Sequence, residues 1–262
     1  MSYKAAFFDI DWTLYDHKNH RWDHKSVEAV SHLKEKGIEC FLCSARPLDS
    51  MTDLGVFQLG IDWRGYVASA GAVTVMDGKT LKAFMMKEAD VVNFIRLVHY
   101  LHVSAEIVYP EECFFFGDDT PFSESYYKEF NEKQKRLGNV GRMRTSDAVG
   151  FNLFISTDYD PLFAKEFPGL VFRRYAPFGV DVMPCVREKS SGIEAVIERL
   201  GISKEEVISF GDGIQDIPMA RVSHFVALGN AGDEVKAAAS EVTSPVWESG
   251  VYEALKKHGL AE

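Results

Sequence analysis

Residues 4–13 read KAAFFDIDWT, an apolar run that ends abruptly in two aspartates. A short apolar run of this kind indicates a strand buried on both faces, which is typical of a parallel sheet covered by helices. Asp9 and Asp11 leave the strand at its carboxyl end, where open α/β sheets bind their ligands. Two carboxylates there are costly to bury unless a cation or hydrogen bonds compensate them. The stretch therefore predicts an α/β protein with a polar site beyond its first strand.

The order of the predicted elements supports this fold class. The first part of the chain alternates strand and helix up to about residue 76, and the alternation resumes with a helix over 188–200 and a strand over 207–210. Such alternation favours a sheet with helices on both faces. We therefore predict a doubly wound, Rossmann-like parallel sheet core formed by residues 1–79 and 185–262.

The middle of the chain, residues 80–184, has a different pattern. Two helices, over 88–101 and 123–137, accompany four strand candidates. The strand candidates are residues 103–108, 150–156, 170–175 and 178–183. A chain of 262 residues also exceeds the roughly 100–150 residues of a typical domain. We therefore predict that this segment is an inserted α+β cap domain with an antiparallel sheet.

Composition excludes several classes of protein. With 39 acidic against 29 basic residues the net charge is −10, which argues against nucleic acid and anionic membrane surfaces as partners. No apolar run approaches the roughly 18–20 residues of a membrane helix, and acidic residues appear too early for a signal peptide. Four cysteines are too few for a disulfide scaffold, and Cys40 and Cys43 would be buried thiols on opposite faces of one strand. We predict a cytoplasmic protein, a monomer or weak homodimer.

A second pair of carboxylates follows the strand over 207–210. The segment 211–216 reads GDGIQD, so Asp212 and Asp216 lie at a strand-to-helix turn whose glycines let the backbone approach a ligand. Together with Asp9 and Asp11 they form a set of oxygen ligands of the kind that Mg²⁺ prefers. The sequence therefore predicts a magnesium site between two strand ends.

Two further segments predict a site for an anion. Ser44, Ala45 and Arg46 end the second strand, where a hydroxyl and backbone N–H groups at a turn can bind an anion. Lys189 begins the helix that follows the inserted segment, where a cation opposes the helix dipole. Its unfavourable position suggests that an anion lies beside it.

These motifs together resemble the haloacid dehalogenase-like (HAD) superfamily, specifically Cof-type phosphatases with a large α/β (C2) cap. The Asp-x-Asp-x-Thr motif matches at Asp9, Asp11 and Thr13, and the Thr/Ser-Gly-Arg motif at Ser44 and Arg46. The third motif matches at Lys189. The fourth, Gly-Asp-x-x-x-Asp, matches at Gly211, Asp212 and Asp216. The resemblance covers nearly the whole chain.

The resemblance implies a Mg²⁺-dependent phosphatase that hydrolyses small phosphorylated metabolites, such as sugar phosphates, through an aspartyl-phosphate. Asp9 would be the nucleophile and Asp11 the general acid and base. Mg²⁺ would be held by Asp9, the Asp11 carbonyl, Asp212 and Asp216. The phosphoryl group or substrate would contact Ile10, Ser44, Ala45, Arg46, Lys189 and Gln215.

Some residues depart from the family pattern. Trp12 stands where the family usually has Gly, Gln215 where Asn is usual, and Ser69-Ala70-Gly71 where Asn-Gly is frequent. Trp12 and Gln215 keep open the alternative of a non-catalytic protein that binds a phosphorylated metabolite. A phosphomutase on the same core is a second alternative. Arg46 could equally be a salt-bridge partner. We interpret His17, His20 and His24 as a solvated loop.

Overall fold

The computed structural model describes residues 3–130, 133–136 and 143–262. The chain divides into two compact units. The first contains Met1–Arg46, Gly55–Lys82 and Glu188–Glu262, and the second contains Pro47–Leu54 and Ala83–Arg187.

The described residues form the following strands and helices. The strands are β1 (Ala5–Phe8), β2 (Tyr15–Asp16), β3 (Arg21–Trp22), β4 (Glu39–Cys43), β5 (Trp63–Ala68), β6 (Val73–Met76), β7 (Lys79–Ala83), β8 (Ser104–Val108), β9 (Cys113–Gly117), β10 (Gly150–Phe154), β11 (Val171–Ala176), β12 (Gly179–Met183), β13 (Val207–Gly211), β14 (His224–Ala227) and β15 (Glu241–Val242). The α-helices are α1 (His24–Ser31), α2 (Leu48–Leu54), α3 (Glu88–Tyr100), α4 (Pro121–Glu129), α5 (Asp160–Glu166), α6 (Lys189–Leu200), α7 (Asp233–Ala238) and α8 (Gly250–Lys257). A 3₁₀-helix, Ile214–Arg221, follows β13.

The first unit is built on an eight-stranded sheet in the order β15-β14-β13-β1-β4-β5-β6-β7. The strands from β15 to β5 pair in parallel, and β6 pairs antiparallel with β5. In the register of the central strands, Phe8 lies opposite both Leu42 of β4 and Phe210 of β13. The carboxyl ends of β1 and β13 are therefore level with each other at one edge of the sheet.

Helices cover both faces of this sheet. Successive residues of β1 point to opposite faces, so its apolar side chains contribute to a core on each side. Phe8 packs in a core with α1 and α8, and its ring stacks on that of Phe210 at 5.0 Å. Phe7 packs in a second core with α6, and its ring stacks on that of Phe41 at 4.9 Å. Both phenylalanines are fully buried. This explains the unbroken apolar run before Asp9.

The second unit has a five-stranded sheet in the order β11-β12-β10-β8-β9. Its strands pair antiparallel. On one face Phe94 of α3 and Phe163 of α5 pack against Phe151 of the sheet. On the other face Tyr126 of α4 packs against Phe154. Both faces of this sheet are therefore covered.

The predicted fold class is confirmed, and several predicted elements shift. The core sheet is mostly parallel and a separate sheet is antiparallel, as predicted. The helix predicted over 123–137 is α4, Pro121–Glu129, and positions 131, 132 and 137 of that prediction lie outside the described residues. The short hairpin of β2 and β3 was not predicted. It occupies the segment that we interpreted as a solvated loop.

The domain bounds at residues 79 and 185 stay predictions. The two compact units change over after Lys82 and before Glu188, so that most of β7 belongs to the first unit. Pro47–Leu54 also groups with the second unit, where Asp49 accepts a hydrogen bond from the N–H of Cys113 at 2.9 Å.

Two predictions about the sequence as a whole can be compared with the described residues. None of the helices there has the length and apolar character of a membrane span. Cys40 and Cys43 are both buried and unbonded to each other, and they lie in the cores on opposite faces of the sheet. Burial raises the pKa of the Cys40 thiol to about 12.

Candidate active site

The candidate site lies in the first unit, at the carboxyl ends of β1 and β13. Asp9 follows β1 directly, and its N–H donates to the carbonyl of Phe210 at 3.0 Å. Asp212 follows β13. Because neighbouring parallel strands end at the same edge, the two aspartates that the sequence places 203 positions apart are brought together.

Lys189 joins the carboxylates of this edge. Its Nζ lies 2.7 Å from Oδ1 of Asp9 and 2.6 Å from Oδ1 of Asp216. The lysine side chain is fully buried, and both partners are buried too. Burial disfavours the charged ammonium, but the Coulomb attraction of Asp216 and Asp9 raises the pKa of Lys189 well above its usual range. Lys189 is therefore a permanent cation at the start of α6.

Asp216 holds the turn that follows β13. Its Oδ2 accepts hydrogen bonds from the N–H groups of Asp212 at 3.0 Å and Gly213 at 2.9 Å. Gly211 makes this possible, since a Cβ at that position would lie 2.5 Å from the Asp216 carboxyl carbon. Asp216 thus fixes the backbone that carries Asp212, and its other oxygen is bonded to Lys189.

Asp11 is held by two basic side chains. Arg46 makes a two-pronged ion pair with it, from Nε to Oδ2 at 2.9 Å and from Nη2 to Oδ1 at 2.8 Å. Nε2 of His17 lies 2.6 Å from the same Oδ1. Burial alone would raise the pKa of Asp11, but the charge of Arg46 and the hydrogen bond from His17 outweigh it and hold that pKa well below its usual range.

The pKa values of Asp9 and Asp212 are shifted in the opposite direction. Burial, together with the charges of Asp9 and Asp216, raises the pKa of Asp212 to about 8. Burial also raises the pKa of Asp9, although Lys189 opposes the change. Both shifts mean that ionising these buried carboxylates is costly in the absence of a further cation, mainly because they are shielded from water and also because they lie near other carboxylates.

The donor set fits a divalent cation. Carboxylate oxygens of Asp9, Asp212 and Asp216 lie within 4.8 Å of one another. Apart from His17, the cluster contains four carboxylates and two cationic side chains among the described residues. When all four carboxylates are ionised, as they would be around a bound cation, two negative charges are left over. The carboxylates are those of Asp9, Asp11, Asp212 and Asp216, and the cations are Lys189 and Arg46. Oxygen ligands with this charge are typical of a Mg²⁺ site.

The turn at residues 44–46 accepts hydrogen bonds from the loop Ser69–Gly71. The N–H of Ser69 donates to the carbonyl of Arg46 at 2.9 Å, and that of Ala70 donates to the carbonyl of Ser44 at 3.1 Å. Ser69, Ala70 and Gly71 all have positive φ angles, of 48°, 52° and 94°. The hydroxyl of Ser44 is buried and accepts the N–H of Arg46 at 3.1 Å. The loop therefore fixes the backbone that carries the side chains of Ser44 and Arg46.

Trp12 adopts a left-handed backbone conformation, with φ 58°. Its N–H donates to the carbonyl of Tyr15 at 2.8 Å. Its own carbonyl accepts from Nδ2 of Asn230 at 3.0 Å, and the same amide nitrogen lies 3.4 Å from Asp212. The indole is 37% exposed and tilts against the ring of His17 at 5.3 Å. Trp12 thus lies beside Asp11, where its sequence position requires.

The structure brings most of the predicted site residues into one cluster and leaves some apart. Gln215 is exposed on the first turn of the 3₁₀-helix. Ile10 is buried, and its carbonyl accepts three N–H groups of the following turn, while Ala45 is half-buried between Ser44 and Arg46. The phosphate contacts of these three residues stay predictions. Arg46 contacts Asp11, which is the salt-bridge alternative.

Two residues of the cluster were missed. The interpretation of His17 as part of a solvated loop is wrong, because its side chain is only 11% exposed and bonds to Asp11. The hairpin of β2 and β3 carries it there. Asn230 links Trp12 to Asp212, and its Oδ1 accepts the N–H of Val246 at 2.9 Å. Asn230 follows Gly229, three residues after the last residue of β14, and this position alone does not predict its hydrogen bonds.

Comparison with known proteins identifies the family of this chain. A family model described as haloacid dehalogenase-like hydrolase matches residues 6–255. The protein named "Putative phosphatase YkrA" of Bacillus subtilis (strain 168) is 29% identical over 273 residues, which cover 99% of each chain.

Solved structures give the same result. A hypothetical protein from Geobacillus kaustophilus HTA426 superposes with a TM-score of 0.88, is 28% identical, and the match covers 99% of this chain and 100% of that one. A HAD subclass IIB sugar phosphatase superposes with a TM-score of 0.80 at 26% identity, over 98% and 99% of the two chains. The match to the family model spans almost the whole sequence, as the four motifs predicted. The chain belongs to the haloacid dehalogenase-like hydrolases.

Proposed function

We propose that this protein is a Mg²⁺-dependent phosphatase that hydrolyses small phosphorylated metabolites through an aspartyl-phosphate on Asp9. The observation that carries the proposal is the position of Lys189, buried between Asp9 and Asp216 beside Asp212. A buried lysine among carboxylates is what a site needs if a negatively charged nucleophile is to approach a negatively charged phosphoryl group.

In the first step an oxygen of Asp9 would attack phosphorus in line with the leaving group. The Asp9–phosphorus bond forms while the bond to the leaving oxygen breaks. Asp11, which would take up a proton from solvent when Arg46 turns away from it, gives that proton to the leaving oxygen. Lys189 favours the ionised form of Asp9, against the effect of burial, and orients its carboxylate. Because charge spreads over the phosphoryl oxygens in the transition state, Ser44 and Lys189 would stabilise it there.

In the second step Asp11 would act as the base. It takes a proton from water, whose oxygen attacks phosphorus and releases Asp9 and inorganic phosphate. The ion pair with Arg46 suits this role, since it keeps Asp11 deprotonated. For the first step Arg46 would turn from Asp11 to the phosphoryl group, which combines its predicted contact with substrate and its observed contact with Asp11.

The metal would be held by Asp9, the Asp11 carbonyl and Asp212. When bound, Mg²⁺ supplies positive charge to the phosphoryl oxygens and to Asp9. Asp216 would support the metal site mainly by orienting Asp212 and Lys189 rather than by binding the ion. One of its oxygens already bonds to Lys189, and the other accepts N–H groups of the turn.

The proposed substrates are small phosphorylated metabolites such as sugar phosphates. The similarity to a sugar phosphatase of 26% identity over nearly the full chain supports this class. The net charge of −10 makes polymeric anions poor partners.

Release of phosphate tests the proposal. Wild-type protein should release phosphate from p-nitrophenyl phosphate and from a set of sugar phosphates, only with Mg²⁺, and Asp9→Asn should abolish release while circular dichroism stays unchanged. The matched control is Asp62→Asn, an exposed aspartate of the same unit. Unchanged turnover in Asp9→Asn would contradict the mechanism. Conversion of hexose 1-phosphates to isomers without free phosphate would indicate a mutase, and thermal stabilisation by ligands without turnover would indicate a binding protein.

A further inference from the structure

A second group of metal-binding side chains lies at the opposite edge of the same sheet. His224 is the first residue of β14, Glu241 is the first residue of β15, and His258 follows the end of α8. His224 lies level with Ile208 and Ala6, near the amino ends of β13 and β1. Glu241 pairs with Val226, and its side chain reaches back to His224 from the neighbouring strand, whereas Asp9 and Asp212 follow the carboxyl ends of β1 and β13. These side chains have no part in the proposed phosphatase reaction.

The three side chains converge on a single oxygen atom. Nε2 of His258 lies 2.9 Å from Oε2 of Glu241, and Nε2 of His224 lies 3.4 Å from the same atom. All three donor atoms lie within 4.8 Å of one another. Zinc bonds to nitrogen and oxygen are about 2.0–2.2 Å long, so neighbouring ligand atoms of a tetrahedral site are about 3.3–3.5 Å apart. The observed spacing is close to that of a zinc site.

The surroundings also suit a metal. Lys257 bonds to Oε1 of Glu241 at 3.0 Å, which orients the carboxylate and leaves Oε2 to the histidines. The ring of Tyr3 packs edge-on against His258 at 5.6 Å and tilts against His224 at 6.1 Å. The Glu241 side chain is 10% exposed, while the histidines are 31% and 22% exposed. Solvent can therefore reach the open side of the group.

We propose that His224, Glu241 and His258 form a site for a divalent transition metal of the zinc class. Two imidazole nitrogens and one carboxylate oxygen suit zinc and its neighbours, whereas Mg²⁺ prefers oxygen alone. Three protein ligands leave a fourth position for water. The bound ion would join α8 to β14 and to the edge strand β15, and so stabilise the carboxyl-terminal part of the first unit.

The test separates this site from the aspartate cluster. In untagged, metal-stripped Asp212→Asn protein, Zn²⁺ titrated by calorimetry should bind with about one equivalent, and Co²⁺ should give the visible absorption of a tetrahedral site with nitrogen ligands. Adding His258→Ala, or the milder His224→Gln, should weaken Zn²⁺ binding at least about tenfold and remove the Co²⁺ bands. Zn²⁺ should also raise the Tm of the parent protein more than that of either variant.

His32→Ala is the matched control, because His32 is an exposed histidine of the same unit that pairs with Glu35. It should leave Zn²⁺ binding unchanged. Circular dichroism establishes that each variant is folded. Equal Zn²⁺ affinity with and without His258→Ala, or no binding by the Asp212→Asn protein, would overturn the proposal and leave an ion-paired network between the histidines and Glu241.

Discussion

The ammonium group of Lys189 lies 2.7 Å from Oδ1 of Asp9, with both side chains buried. The pair is joined by Asp216 on the other side of the lysine, at 2.6 Å. A buried ion pair is weak evidence for stability, but breaking one by removing a single partner leaves an uncompensated charge. Lys189 is therefore as important for the integrity of the site as for its chemistry.

Replacement of the lysine should destabilise the protein strongly. Lys189→Met keeps the apolar stem but leaves the carboxylates of Asp9 and Asp216 without their common cation, so we expect a loss of about 3–5 kcal/mol in the free energy of unfolding. Urea denaturation in the absence of metal measures it. Lys4→Met is the control, because Lys4 pairs with Glu206 at 2.7 Å on the surface, where such a pair contributes little. A loss no greater than that of the control would contradict the prediction.

Replacement of Asp212 should have the opposite effect on the metal-free protein. Burial and neighbouring carboxylates raise the pKa of Asp212 to about 8, so between its ordinary value and pH 8 the folded state binds more protons than the unfolded state. Stability must then fall as the pH rises through that window. Without metal, Asp212→Asn should therefore have a higher Tm than wild type at pH 8, and the gap should shrink towards pH 5.

Magnesium should reverse that order. It binds the folded wild type and raises its Tm, whereas Asp212→Asn should respond little. Differential scanning calorimetry with EDTA or with Mg²⁺ makes the comparison, and Asp62→Asn, which removes an exposed carboxylate that pairs with Lys34 at 3.0 Å, serves as the control. A metal-free variant less stable than wild type at pH 8 would show that Asp212 carries no electrostatic cost.

The ion pair between Arg46 and Asp11 should set the acidic limb of the pH–rate profile. Arg46 lowers the pKa of Asp11, so Arg46→Met should raise it, and a larger fraction of Asp11 is then protonated at a given acidic pH. In the second step of the proposed reaction Arg46 pairs with Asp11 again, and Asp11 must be ionised to accept the proton of water. The acidic limb of kcat should therefore move to higher pH, and kcat itself should fall because Arg46 no longer contacts the phosphoryl group. Arg64→Met, which breaks the exposed pair with Asp77, should leave the profile unchanged. A limb that stays in place would remove Asp11 from the role of base.

The convergence of Asp9, Asp212 and Lys189 could be predicted because it follows from topology. Two strands of a parallel sheet end at one edge, and the start of a helix that packs on the same sheet adds the lysine. The apolar runs of those strands are long enough for the strands to be predicted from this sequence alone. Motif order then supplied what topology alone could not, namely the identity of the family.

The contacts of His17 and Asn230 could not be predicted in the same way. The strands of the hairpin that carries His17 have two residues each, too short for any hydrophobic period, so its position depends on turn geometry. Asn230 acts through an amide that bonds to the backbone of Trp12, and such a contact leaves no pattern in the sequence. The grouping of Pro47–Leu54 with the second unit likewise depends on tertiary contacts of Asp49.

The left-handed backbone of Trp12 gives a prediction that separates side chain from strain. The left-handed region costs an L-residue about 1–2 kcal/mol and costs glycine almost nothing, while glycine loses about 0.5–1 kcal/mol more than alanine in conformational entropy on folding. Both Trp12→Ala and Trp12→Gly remove the indole and its contact with His17, but only glycine also relieves the φ of 58°. Trp12→Gly should therefore be the more stable of the two in urea denaturation, by up to about 1 kcal/mol. At Glu28, an exposed position within α1, the order should be reversed, with Glu28→Gly about 1 kcal/mol less stable than Glu28→Ala.

Equal stability of Trp12→Ala and Trp12→Gly would contradict the prediction. It would mean that the turn after β1 can adopt another backbone conformation at no cost, and that the left-handed conformation of Trp12 is not strained.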